Sequence, residues 1–284
     1  MKPQLLFPSY FRPIGFVLAL GGLILGYICM IQHEAIALLD HDGNSVTKNF
    51  AATFEVLGLL FIGFSRQKKE NENIYLLRLN ALYWSMLVGF LLLLLNWVLN
   101  IVGTELDIRF LLYWPALFGY YPFVLLWIFV GSFYYRPSRN EQGNLSKPVY
   151  LFRYRSYFPF IWSICIFFFL LIIVAENIPA ADDLLKKIVP DYTVYIFPVS
   201  LLIWTWSKQK NESDLITGIR LTSMQVAVYI NYILLLIAIW YYYGFDYLSI
   251  EIDSLVSIPI IFLCIFYLRI FILRKKSSLA ISNS

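Results

Sequence analysis

Charge is what this chain has least of. Only 14% of its 284 residues are Asp, Glu, Lys or Arg, whereas a water-soluble domain carries roughly a quarter. That deficit excludes a molecule facing water on all sides. Cysteine is nearly absent too: Cys29, Cys165 and Cys264 each lie inside an apolar run, with neither metal-ligand spacing nor an even disulfide framework. They read as small buried apolar residues. The two histidines, His33 and His41, would need Glu34, Asp40 or Asp42 beside them to hold a metal. The stretch Asp40-His41-Asp42-Gly43-Asn44 is similar to a calcium loop, but Leu38 stands at its first ligand position. Asn49 stands at the twelfth, where a bidentate Glu is required. No metal and no cofactor is expected. Catalytic signatures are missing as well: there is no H-E-x-x-H, no G-x-S-x-G, no phosphate-cradling glycine loop and no Cys–His pair. The expectation is a non-enzymatic chain.

What fills the sequence instead is apolar surface. Apolar residues make up 60%, and aromatic residues, with 21 Tyr and 8 Trp, make up 19%, as expected where amphipathic rings sit at membrane interfaces. A bilayer core of about 30 Å needs about 20 apolar residues per helix. Eight stretches qualify, at residues 13–32, 46–64, 79–101, 110–134, 157–176, 190–206, 221–243 and 255–273. The expected fold is an all-α polytopic membrane protein of eight transmembrane helices. The first stretch follows Lys2 and Arg12, like a signal peptide, but its apolar core is longer than such a signal needs. It reads as a retained helix.

The charges are sorted by side. Counted over alternate connections, 18 of the 22 basic residues fall on one side and 4 (Lys48, Arg109, Lys186, Lys187) on the other. Of the 18 acidic residues, only Glu70, Glu72, Glu141, Glu212 and Asp214 share the basic side. Basic residues stay cytoplasmic, so both termini are expected there. This sorting also rules out a nucleic-acid footprint as the meaning of the +4 net charge.

One sequence occurs twice. Ser65–Leu79 reads SRQKKENENIYLLRL and Ser207–Leu221 reads SKQKNESDLITGIRL. Ser65, Gln67, Lys68, Glu70, Ile74, Arg78 and Leu79 match Ser207, Gln209, Lys210, Glu212, Ile216, Arg220 and Leu221. The offset of 142 is half the chain, and such a period points to a duplicated unit. Residues 1–142 and 143–284 are expected to be two parallel four-helix repeats about an axis normal to the membrane. The polar stretch 136–156 would join them.

Three groups of residues are candidates for function. Glu55 lies ten residues from Ser65, about 15 Å along a helix, and an ionisable group near mid-bilayer is a functional hypothesis by default. Its counterpart in the second half is Phe197, so a site built on it would be asymmetric. Asn80, Asn96, Asn100, Gln225 and Asn231 are amides in the third and seventh helices. They would either bond neighbouring helices or, with Glu55, line a site for a small solute or lipid between the halves. The paired connectors supply Lys68, Glu70, Arg78, Lys210, Glu212 and Arg220. These would touch anionic lipid head groups on the cytoplasmic side or dock a cytosolic protein partner. Arg78, Arg220 and Arg269 are expected to snorkel to the interface. Binding or transport of a small solute or lipid is the leading expectation, and a regulatory or scaffold role the alternative.

The connector pattern S-K-x-K-x-E, followed by an Arg that opens a long helix, resembles one found in a family of uncharacterised bacterial inner-membrane proteins. Arg220-Leu221 running into Tyr229-Ile230-Asn231-Tyr232 adds to the likeness, while residues 87–90 of the first half read LVGF and depart from it. The resemblance covers about a third of the chain. It implies a bacterial inner membrane and carries no activity with it.

Overall fold

A computed structural model describes residues 5–32, 46–68, 70–105, 121–135, 148, 150–151, 196–209, 212–241 and 245–282. Among them are seven helices: α1 (Phe11–Gln32), α2 (Val46–Phe64), α3 (Glu72–Glu105), α4 (Tyr121–Tyr135), α5 (Ile196–Thr205), α6 (Asp214–Tyr241) and α7 (Phe245–Ser282). No strand occurs among the described residues. Five helical stretches are long and apolar enough to cross a membrane: Phe11–Cys29, Val46–Phe64, Glu72–Leu99, Asp214–Tyr241 and Val256–Lys275. They correspond to the first, second, third, seventh and eighth expected spans. The fourth and sixth are represented by the shorter α4 and α5, and the fifth (157–176) lies outside the described residues. An all-helical chain with several membrane-compatible helices is therefore what the structure establishes.

The surface has the polarity of a protein dissolved in lipid. Ile14, Val17, Leu20 and Ile24 of α1 are exposed, as are Leu91, Leu95 and Val98 of α3, Ile233, Leu234 and Ile237 of α6, and Leu268, Phe271 and Ile272 of α7. Arg78, Arg220, Asn80, Asn96, Gln225 and Asn231 are buried. This arrangement is compatible with hydrocarbon surroundings, where backbone and polar groups must be satisfied inside the protein.

Small residues decide which helices approach most closely. A Cβ on Gly58 of α2 would lie 2.4 Å from the Ala19 nitrogen of α1, and one on Gly22 of α1 2.7 Å from the Glu55 nitrogen. No side chain fits there, so α1 lies directly on α2, as small-residue seams allow in membranes. Elsewhere α3 packs on α4 and α6 on α7, while α2 touches α4 and α5 touches α7. α3 and α6 meet, flanked by the pairs α2–α6, α3–α5 and α4–α7. Both α3 and α6 begin with the same cap. The Ile74 amide donates to Asn71 Oδ1 at 2.8 Å, and the Ile216 amide to Ser213 Oγ at 3.4 Å. An acidic residue, Glu72 or Asp214, follows in each first turn, where the helix dipole favours it.

Candidate functional site: two buried arginine cages

The two matching connectors fold into matching cages. Arg78 and Arg220 each sit six residues into a helix, with only 0% and 2% of their surface exposed. Each is reached by the connector's own glutamate folding back. Arg78 Nη2 donates to both carboxylate oxygens of Glu70, at 3.0 and 2.8 Å. Arg220 donates from Nε to Glu212 Oε1 at 2.8 Å and from Nη2 to Oε2 at 3.3 Å. Further donors take main-chain carbonyls at the end of the preceding helix, while Arg78 Nε is buried without a partner. Arg78 Nη1 reaches Gly63 O and Ser65 O at 2.7 and 2.8 Å. Arg220 reaches Thr205 O through Nη1 at 2.9 Å and Ser207 O through Nη2 at 3.1 Å. Every acceptor in one cage lies 142 positions from its partner in the other.

The smaller parts agree as well. The Gln67 and Gln209 amides donate to the Oε2 of Glu70 and Glu212, at 2.7 and 3.0 Å. The Ser65 and Ser207 hydroxyls donate back to the carbonyls of Phe61 and Ile203. A ring lies against each guanidinium, Phe133 at 4.5 Å and Phe266 at 4.7 Å. These contacts explain why the connector keeps Ser, Glu and Arg at fixed spacing. The serine closes the helix, the glutamine amide and the arginine hold the glutamate, and the arginine satisfies carbonyls that α2 and α5 leave open at their ends.

The carbonyl between the two that face each arginine points the other way. Phe64 O accepts from the Phe7 amide at 3.0 Å, and Trp206 O from the Leu151 amide at 3.1 Å. Each cage is thus covered by a short segment, Phe7 and its neighbours over the first and Tyr150–Leu151 over the second. Sequence reading missed these segments, although the signal was present: Lys2-Pro3-x-x-Leu6-Phe7 repeats as Lys147-Pro148-x-x-Leu151-Phe152. Tyr150 in the second segment donates to Glu212 Oε1 at 2.8 Å. Burial pushes its phenol up from the ordinary value, the Thr217 hydrogen bond partly opposes this, and the Glu212 charge adds to the rise.

Two expectations are corrected by this geometry. Arg78 and Arg220 do not snorkel, because their guanidiniums are spent on carboxylates and carbonyls inside the bundle. Glu70 and Glu212, with 1% and 0% of their side chains exposed, face inward as well and are not part of an outer surface. Among the described residues, Arg66, Lys68 and Lys208 are the exposed basic residues of the connectors, and Lys69 and Lys210 lie outside them. Arg269 is half-buried and donates to Thr222 Oγ1 at 3.0 Å instead of reaching outward.

The other candidates are not gathered into one site. Glu55 is half-buried, and its Oε1 accepts the Trp127 indole N–H of α4 at 2.9 Å. Asn231 accepts from the Ser257 hydroxyl of α7, and its own Nδ2 is buried without a partner. Asn80 and Asn96 are buried in α3, the latter with no partner for Oδ1. Gln225 of α6 links distant parts of the chain: its Oε1 accepts from Tyr75 of α3 at 3.1 Å, and its Nε2 donates to Leu5 O at 3.2 Å. Rings pack between α2 and α6 and between α3 and the end of α5, Phe64 on Tyr229 with centroids 4.6 Å apart and Trp206 against both Tyr83 and Phe90 at 5.9 Å. Among the described residues no three His, Cys, Asp or Glu gather as metal ligands. The loop holding His33, His41, Asp40 and Asp42 lies outside them.

No family model matches the chain, and no curated protein or solved structure matches it either.

Proposed function

We propose that this is a non-catalytic, multi-pass membrane protein of two like four-helix halves that docks a cytosolic protein partner through its paired connectors. The observation that carries the reading is the pair of cages. Each turns its glutamate and deep arginine inward and leaves Arg66, Lys68 and Lys208 outward on short, rigidly held turns. The duplicated-half reading draws support from the contacts. Moving half a chain along turns α2, α3 and α4 into α5, α6 and α7, and the touching pairs α2–α6 and α3–α5 exchange. Two similar basic turns on one face suit an acidic partner or anionic head groups, and the basic side is the cytoplasmic one. The ring-packed junction favours this reading over a solute path. The test is a photo-crosslinking residue at position 68 or 208, with position 233 on the apolar surface as control. A discrete protein adduct at 68 and 208, lost from both when Arg66 is changed to Glu, is expected. Lipid adducts alone, or none, would overturn the docking role.

A second reading, binding or transport of a small solute or lipid, rests on Glu55. It is a carboxylate about 15 Å from the connector end of α2, held only by the Trp127 indole among the contacts described. Replacing the three cysteines, installing Glu55→Cys and reacting intact cells with an impermeant thiol reagent tests it. Labelling would support an aqueous path, and its absence would leave the docking reading alone.

A further inference from the structure

The stretch preceding α1 has an unusual backbone. Among the described residues, Leu5 is the only non-glycine residue with positive φ, at 59°. A leucine gains nothing there from its side chain, which is 57% exposed, so the conformation must be held by what the backbone does. The Leu5 carbonyl is turned toward α6, where it accepts from the Tyr229 hydroxyl at 2.6 Å and from Gln225 Nε2 at 3.2 Å. Two residues on, Phe7 bonds the opposite way. Its amide donates to Phe64 O at 3.0 Å, and its carbonyl accepts the Arg66 amide at 2.9 Å. Its ring packs edge-on against Phe61 of α2 at 5.2 Å and against Tyr229 of α6 at 6.1 Å.

We propose that residues 5–8 are a clasp that fastens α6 of the second half to the α2–α3 connector of the first. The left-handed turn at Leu5 aims one carbonyl across the junction while Phe7 stays paired to the connector. Among the described residues, the second segment keeps to its own connector. Its Tyr150 hydroxyl turns to Glu212 of its own half, and Leu151 pairs with Trp206 O.

Two substitutions at one exposed position separate this from general stabilisation. Leu5→Gly accepts a positive φ without steric cost, whereas Leu5→Pro fixes φ near −65° and forbids it. With the three native cysteines replaced, spin labels at Tyr10 and Leu215, both exposed, report the distance between the start of α1 and the start of α6. A single narrow distribution is expected for the parent and for Leu5→Gly, and a distribution at least twice as broad for Leu5→Pro. Should Leu5→Pro not fold, Tyr229→Phe combined with Gln225→Met removes both donors and is read the same way. A broad distribution in the parent, equal widths in all variants, or broadening by Leu5→Gly as much as by Leu5→Pro would each overturn the clasp.

Discussion

Removing the arginine from either cage should not cost the same, although the two were built from one pattern. Arg78→Met leaves the Glu70 carboxylate with a single donor, the Gln67 amide at 2.7 Å, and strips the Gly63 and Ser65 carbonyls of the Arg78 donor. Breaking one side of a buried ion pair costs about 3–5 kcal/mol, and the bare first cage belongs at the top of that range. Arg220→Met leaves better-satisfied remnants. Glu212 keeps the Gln209 amide at 3.0 Å and the Tyr150 hydroxyl at 2.8 Å, and Thr205 O keeps the Tyr83 hydroxyl at 3.0 Å. Two additional surviving bonds, at about 1 kcal/mol each, place this variant about 2 kcal/mol above Arg78→Met. Reversible unfolding in mixed micelles, followed by circular dichroism, reads both values. Equal costs, or a larger loss for Arg220→Met, would refute the reasoning from residual donors.

Tyr83→Phe removes the donor that crosses from α3 to Thr205 O and should cost about 1 kcal/mol alone. In an Arg220→Met background it should cost more, since the carbonyl then has no donor left, and the same unfolding assay measures the difference. Gly58→Ala places a Cβ 2.4 Å from the Ala19 nitrogen and should destabilise by about 1–3 kcal/mol through overpacking. Gly21→Ala, where a Cβ meets nothing within 4 Å, should be neutral or stabilising by up to about 1 kcal/mol. Tyr150 holds its proton more tightly folded than unfolded, so its contribution is complete below the unfolded value of about 10. That contribution is lost as pH rises through the raised folded value. The stability difference between the parent and Tyr150→Phe should accordingly shrink when unfolding is repeated at increasing pH above about 10.

The spans were legible because hydrocarbon imposes length and composition directly. α1, α2, α3, α6 and α7 lie where the apolar stretches placed them. The connector match was legible too, but its meaning was inverted. Seen as letters, Lys, Glu and Arg in a loop look solvated, since nothing in the local pattern says that Glu70 folds back eight residues to Arg78. The informative sign was the spacing kept across 142 residues, which a merely solvated loop has no reason to preserve. Glu55 drew attention because isolated acids in apolar runs are rare, yet its partner Trp127 lies 72 residues away, beyond any local pattern. The clasp was the least legible part. It depends on a backbone turn at Leu5, a residue that ordinarily avoids that conformation, and on Tyr229 and Gln225 more than 200 residues later.

The central claim is that two like halves stand parallel in the membrane and present both connectors on one face. Sidedness of labelling at Lys68→Cys and Lys208→Cys, in a chain without native cysteines, tests it most directly. Both positions are exposed, and Lys208→Cys gives up a cation–π contact with the Tyr150 ring at 5.8 Å. The account predicts that an impermeant thiol reagent labels both in inverted vesicles and neither in intact cells. Labelling of the two positions from opposite sides would contradict it.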